Sequence, residues 1–192
     1  MVRLDIQIRI LRDGKFKFLC ERKTKMKINI VPLEKIEIDG KSIELGMKKE
    51  QVIGILGLGE LSNRHFFYDN ELAIDYDEND YVEFIEFLGG IEGTLHPVIY
   101  GKPVFESNAD ELFEILKQHN NGEIDDSENG YSYGFIETSV GIYRTSTPES
   151  VQQDIDDMKA DGIYDQGYVD DELKKANHWA TIGIGKENYY KN

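Results

Sequence analysis

Cysteine is nearly absent: Cys20 is the single one in 192 residues. That excludes an internal disulfide and a cysteine-ligated zinc site, and Cys20 reads as a small core hydrophobe. Long apolar runs are missing too. None approaches the roughly 18 residues that cross a bilayer, so no transmembrane helix is expected. The basic N-terminus alternates in hydropathy instead of holding a continuous apolar stretch, so a secretory signal is not expected and a cytoplasmic location is. The four histidines (His65, His96, His119 and His178) are scattered, with no pair at i, i+4 and no His-Glu-x-x-His. A Gly-x-Ser-x-Gly elbow and a phosphate loop are both lacking. Gly54, Gly57 and Gly59 end a helical pattern, whereas a dinucleotide site needs such glycines ahead of a helix. No catalytic residue, metal or cofactor is indicated.

What is present is charge, unevenly placed. The net charge is −15, from 22 basic and 37 acidic residues. Residues 1–27 carry nine Lys/Arg against Asp5, Asp13 and Glu21, a balance of +6, which leaves −21 on the remainder. A body this negative repels phosphate backbones, so nucleic acid is not an expected partner; a basic protein is, with an association rate that falls as salt rises.

Residues 2–11 alternate strictly, as a β-strand does, and Asp13-Gly14 is a two-residue hairpin signal with 15–20 as the return strand. Three readings stand for this segment. It is a basic arm for an acidic surface, a hairpin that joins the sheet of the body, or an extension upstream of a start at Met26. From there the chain reads as one domain over 26–192. A hairpin at 36–45 turns at Asp39-Gly40. A helix over 46–57 carries Met47, Val52, Ile55 and Leu56 on one face. Strands follow at 65–68, 71–76 and 81–88.

The segment from Ile38 has a partner 61 residues downstream, with Gly-Lys at 40–41 and again at 101–102. The second copy has a helix with Ser107 and Asp110 as a capping box and Leu112, Phe113, Ile115 and Leu116 as its apolar face. Strands are expected at 131–137 and 141–145. Each copy reads strand–turn–strand–helix–meander, so tandem repeats are expected over 36–90 and 97–146. Beyond them, Thr147-Pro148 opens a helix that is polar except for Val151, Ile155 and Met158 and ends at Gly162. A short helix over 170–177 and a closing strand over 179–185 follow; the glycines of that strand suggest close approach of another backbone.

Asp75, Asp77, Asn79, Glu83 and Glu86 have the spacing of a calcium loop, but Asp80 stands where glycine is required and the flanks alternate as strands do. Asp125 or Asp126 begins a similar run that lacks the closing Glu. Carboxylates are plentiful enough for a hydrolase pair, yet no spacing singles one out. Aromatic residues beside acids are the residual signal: Tyr68, Tyr76, Tyr81, Tyr131, Tyr133, Tyr143, Tyr164 and Tyr168. Tyrosine offers rigid amphipathic contact area and carboxylates pair with Arg, as a surface for a basic protein needs. The alternative is that these rings half-bury on ordinary sheets.

The run Gly46-Met47-Lys48-Lys49-Glu50-Gln51-Val52, closed by Leu56-Gly57 and followed by a meander, resembles the opening of a helix-then-sheet module. That module is duplicated in beta-lactamase inhibitor proteins and also occurs in outer-membrane assembly lipoproteins. The resemblance covers about residues 38–90 and, more loosely, 99–146; residues 147–192 have no counterpart in it. Small acidic cytoplasmic proteins of this look, from Gram-positive bacteria, are often immunity proteins that neutralise a toxin by covering it.

The expected fold is therefore α+β, an antiparallel sheet with helices packed on one face. The expected function is binding without catalysis, as an immunity or inhibitor protein for a basic, toxin-like partner. Its surface is expected to be built from Asp75, Tyr76, Asp77, Asp80 and Tyr81 together with Asp125, Asp126, Glu128, Tyr131 and Tyr133. A carboxylate-pair hydrolase and a calcium-modulated module are the alternatives.

Overall fold

Period-2 alternation becomes strand and period-3.6 stripes become helix along most of the chain. The structure, a computed structural model, describes residues 6–10, 16–20, 26 and 28–191. Strands β1 (Ile6–Ile10) and β2 (Phe16–Cys20) pair antiparallel with each other alone, so the hairpin extends neither of the larger sheets. A two-residue Asp13-Gly14 turn would set Leu11 opposite Phe16; the register instead sets Ile10 opposite Phe16. The Asp13-Gly14 turn itself and the side chain of Cys20 lie outside the described residues.

The rest is a mixed α+β architecture with two largely antiparallel sheets. The chain runs through β3 (Ile28–Val31), β4 (Lys35–Ile38), β5 (Lys41–Glu44), α1 (Lys49–Leu56), β6 (Glu60–Leu61), β7 (His65–Phe67), β8 (Leu72–Tyr76) and β9 (Val82–Phe87). It continues through β10 (Val98–Ile99), β11 (Lys102–Pro103), α2 (Ala109–Asn120), β12 (Ile124–Asp125), β13 (Ser132–Phe135), β14 (Val140–Tyr143), α3 (Pro148–Ala160), α4 (Gln166–Ala176) and β15 (Thr181–Gly185). The smaller sheet has the order β11-β10-β3-β4-β5 and the larger β12-β13-β14-β15-β9-β8-β7-β6.

The two halves share one order of elements, hairpin–helix–meander. β4-β5-α1 leads to β6–β9, and β10-β11-α2 leads to β12–β15. Both hairpins close with the same type of turn. Asp39-Gly40 (φ 48° and 79°) and Tyr100-Gly101 (φ 50° and 77°) each have two left-handed residues between paired Ile and Lys, the geometry that matches strand twist. The meanders meet where β9 and β15 pair antiparallel. In the smaller sheet β3 stands between the two hairpins, antiparallel to β4 and parallel to β10. Both sheets thus have the strand directions of an approximate two-fold axis, passing through β3 and between β9 and β15.

One apolar cluster joins the sheets. Ile28, Ile30, Ile36, Ile38 and Ile43 from the small sheet meet Leu72, Ile74, Ile85, Phe87, Ile142, Ile182 and Ile184 from the large one, with Val52 of α1 and Leu112 and Leu116 of α2. Each fully buried side chain of this size contributes about 1.5–3 kcal/mol. On the other face of the large sheet, glycines make room for rings. A side chain at Gly134 or Gly141 would meet Tyr190, and one at Gly183 would meet Phe84. The close neighbour of the β15 glycines is therefore an aromatic ring and not, as expected, another backbone.

Helix boundaries differ from expectation in three places. α1 begins at Lys49, not at Gly46, because Gly46 N donates to Val82 O and Met47 O accepts from Val82 N; Met47 therefore lies ahead of the helix. α2 is capped by Asn108, whose Oδ1 accepts from the backbone N–H of Asp110 and Glu111, while the Ser107 hydroxyl donates to Pro103 O. α4 starts at Gln166, because the Asp165 side chain accepts from Tyr168 N and caps it earlier. Thr147 and Pro148 open α3 as expected.

Candidate functional site

The first group of expected contact residues surrounds the β8–β9 turn, and its charges are engaged. Asp75 accepts from Arg64 Nε at 2.8 Å, and Glu86 accepts from Arg64 Nη1 at 2.6 Å. Asp77 accepts from Lys186 Nζ at 2.7 Å and from the backbone N–H of Asn79 and Tyr81, closing its own turn. Those bonds, led by the one from Lys186, hold the Asp77 carboxyl below the usual Asp range. Asp80 faces Lys49 Nζ at 3.8 Å. Lys48 lies over the ring of Tyr81 and Lys49 over that of Tyr76, with Nζ 5.1 and 5.4 Å from the ring centres. The Tyr76 hydroxyl lies 3.1 Å from Nδ1 of buried His65, and burial pushes its pKa up. An open depression of about 400 Å³, lined in part by Lys49, Arg64, Asp75, Tyr76, Asp77 and Asp80, occupies this end. Of its carboxylates, Asp75, Asp77 and Asp80 are each met by a cation.

The second group lies on the β12–β13 loop. Asp125 accepts from Ser127 N, Asp126 from Gly130 N and Glu128 from the Ser132 hydroxyl, so these acids bond to polar groups of their own loop. Tyr131 is partly buried. Tyr133 packs against Phe113 and Trp179; burial raises its hydroxyl pKa, and the charges of Asp126, Asp110 and Glu149 add to that against Arg144.

These two groups do not form one surface. Counting the antiparallel pairings across the large sheet, β9, β14 and β12 all run the same way. The 77–81 turn leads into β9, whereas the 126–131 loop leaves β12. They therefore sit at opposite ends of the sheet, and the single continuous footprint expected from sequence is corrected.

A different neighbour joins the second group. Residues 144–180 leave the end of β14, at the same end as the 126–131 loop, and carry α3 and α4. Buried Arg144 fastens them: its Nε donates to Gly130 O at 2.9 Å, its Nη1 to Ala176 O at 2.9 Å, and its guanidinium lies 5.0 Å from the Trp179 ring centre. Trp179 Nε1 in turn donates to Ala109 O. Val151, Val169 and Ala176 are the buried residues of the two helices. The segment holds nine carboxylates: Glu149, Asp154, Asp156, Asp157, Asp161, Asp165, Asp170, Asp171 and Glu172. Of these only Glu172 is partly buried, bonded to Ser146 and Lys175.

Large apolar side chains are exposed beside the acids: Ile163 at 67%, Tyr168 at 47%, Tyr164 at 42% and Leu173 at 37%. Sequence reading marked Tyr164 and Tyr168 as aromatics beside acids but did not place them in the site. The narrow apolar stripe of α3 already marks it as a surface helix; what the sequence does not give is that β14 delivers this segment to the same end of the sheet as the 126–131 loop.

The residues with calcium-loop spacing lie on two antiparallel strands and their turn, with Asp75 and Glu86 gripping Arg64 and Asp77 gripping Lys186. Among the described residues no group of three or more His, Cys, Asp or Glu has the arrangement of a metal site. The carboxylates of Asp75 and Glu86 share one guanidinium between them, an ion triad rather than an acid–base pair. No helix among the described residues is long and apolar enough to cross a membrane. Comparison with protein-family models, curated proteins and solved structures finds no match to the chain.

Proposed function

We propose that this chain is a non-catalytic binding protein of the immunity or inhibitor kind, acting in the bacterial cytoplasm on a cationic, toxin-like protein that it neutralises by covering. The observation that carries the reading is the end of the large sheet where the 126–131 loop and the α3–α4 segment gather carboxylates and exposed tyrosines. Negative potential there steers a basic partner into contact, and the exposed rings supply the area that holds it. The 75–81 turn is a poorer candidate, because Lys48, Lys49, Arg64 and Lys186 already meet its acids and rings.

The test begins with capture at low salt and identification of the bound protein, followed by measurements on the purified pair. A strongly basic partner is expected, inactive in the complex, with an affinity that falls about tenfold or more between low and moderate salt. A partner that keeps its activity when saturated, or that binds equally well at high salt, overturns the reading.

A further inference from the structure

The exposed face of α3–α4 has a composition that discriminates among cations, not only between cations and anions. On α3, Asp154, Asp157 and Asp161 recur at i, i+3 and i+7, on one flank of the helix and roughly 5–6 Å apart. That flank borders Tyr168 of α4, whose hydroxyl feels the charges of Asp154 and Glu172. Tyr164 already has a cation on its ring: Lys159 Nζ lies 5.7 Å from the ring centre. Rings with carboxylates at their margins suit one cation best. A guanidinium is planar and weakly hydrated, stacks on an aromatic face and still directs N–H donors in its plane to carboxylates; an ammonium is a compact, strongly hydrated point charge. The same protein uses this arrangement internally, where Arg64 is held by Asp75 and Glu86 with its guanidinium 5.7 Å from the Phe84 ring centre.

We infer that the exposed α3–α4 face is the docking element and that it takes an arginine-bearing protein surface, with a guanidinium group on Tyr168 and the Asp154/Asp157/Asp161 flank at its edge. This rests on the acidic-binder reading and narrows it to one place and one side chain of the partner. Charge complementarity selects the occupant, since the unpartnered apolar side chains here are ringed by acids.

Nona-arginine and nona-lysine peptides are the probes, titrated into the full ¹⁵N-labelled chain and followed by amide shifts. Nona-arginine is expected to shift amides over 150–173 and to bind about 2- to 5-fold more tightly than nona-lysine, the range expected of exposed cation–π contacts. Tyr168→Ala removes that preference while leaving nona-lysine binding within about twofold. Asp154→Lys/Asp157→Lys/Asp161→Lys weakens both peptides by about tenfold or more, the sum of three small charge contacts and their reversal. Helical circular dichroism checks that both variants keep α3 and α4.

Equal affinity for the two peptides overturns the inference. So do shifts centred on 75–81 or spread over the sheet, though the acidic-binder reading survives those. If neither peptide binds at low salt, both fall. If removing residues 1–25 alone shifts the α3–α4 amides, the occupant is the chain's own basic segment and the inference is overturned.

Discussion

The two ends of the large sheet are built from the same sequence of elements and have opposite electrostatic outcomes. In the first half, β8 and β9 are joined by the short 77–81 turn, and the adjacent helix α1 starts with Lys48 and Lys49. In the second half, β14 and β15 are joined by the whole of 144–180, and α2 starts with Asn108, Asp110 and Glu111. Acidic residues are abundant at both ends. At the first end they are neutralised at short range, by Lys186 on Asp77, Lys49 on Asp80 and Arg64 on Asp75. At the second, Lys175 meets Asp171 and Glu172, while Asp154, Asp156, Asp157, Asp161 and Asp170 stand exposed on or beside solvent-facing helices. Density of acids along a sequence therefore says little about where negative potential survives. What decides it is which cations the fold brings to them.

The comparison breaks most completely if the attachment of α3–α4 is lost. Arg144→Ala leaves the carbonyls of Gly130 and Ala176 without their donor, at a cost of about 3 kcal/mol. Thermal unfolding should show the midpoint falling by about 6–12 °C. Removing the Lys186–Asp77 pair at the other end by Lys186→Ala should lower the midpoint far less, since that pair is partly exposed and screened by solvent. Equal losses from the two changes would refute the asymmetry.

A second, smaller effect is expected at Asn120, the buried residue that ends α2. Its Oδ1 accepts from the backbone N–H of Glu137 and Thr138, and its Nδ2 donates to Glu123 O. Asn120→Ala should lower stability by about 2 kcal/mol in urea unfolding, with first-half contacts untouched.

Acid should act next. Asp77 and Glu172 both have depressed folded-state pKa values, Asp77 chiefly through Lys186 and Glu172 chiefly through Lys175 and then Ser146. The stabilisation from such groups is fully present above the ordinary carboxylate range near pH 4. It is lost as the pH falls through their lower, folded-state values. Asp77→Asn removes that contribution, so it should lower the neutral plateau of a stability–pH curve, leave the most acidic end unchanged and so flatten the acid limb; an unchanged limb would show that the Lys186 contact does not persist in solution.

The gentlest change sharpens the contrast instead of breaking it. Lys49→Gln/Lys186→Gln takes the cations from Asp80 and Asp77 at little cost in stability, leaving Arg64 on Asp75 and Glu86. Nona-arginine should then shift amides at 75–81 as well as at 150–173, and failure to gain that second region would mean those acids are silenced by something other than the two lysines.

Much of the fold was legible before any coordinates. Asp39-Gly40 specified its hairpin, Val52 its helix face, and the alternation over 65–88 three adjacent strands, because each is a local signal. The 61-residue offset matched two turns of identical geometry. The two-residue strands β6, β10, β11 and β12 left no readable period, and the parallel β3–β10 pair joins residues far apart in sequence. The β12–β13 half of the candidate site had its acids and tyrosines named from sequence. The separation of that half from 75–81 was not legible, because it depends on the direction of strands that meet only through β15.

Where β15 falls in the chain has a kinetic consequence. It is inserted between β9 and β14, yet it follows every other strand in the sequence, so neither neighbour has its inner partner until residues 181–185 have been synthesised. A nascent chain carries two unfinished half-sheets with bare inner margins, each a template for the wrong strand. Joining the two half-sheets is thus a late step, and agents that compete for the β9 margin should trap the protein before it and leave it untouched afterwards.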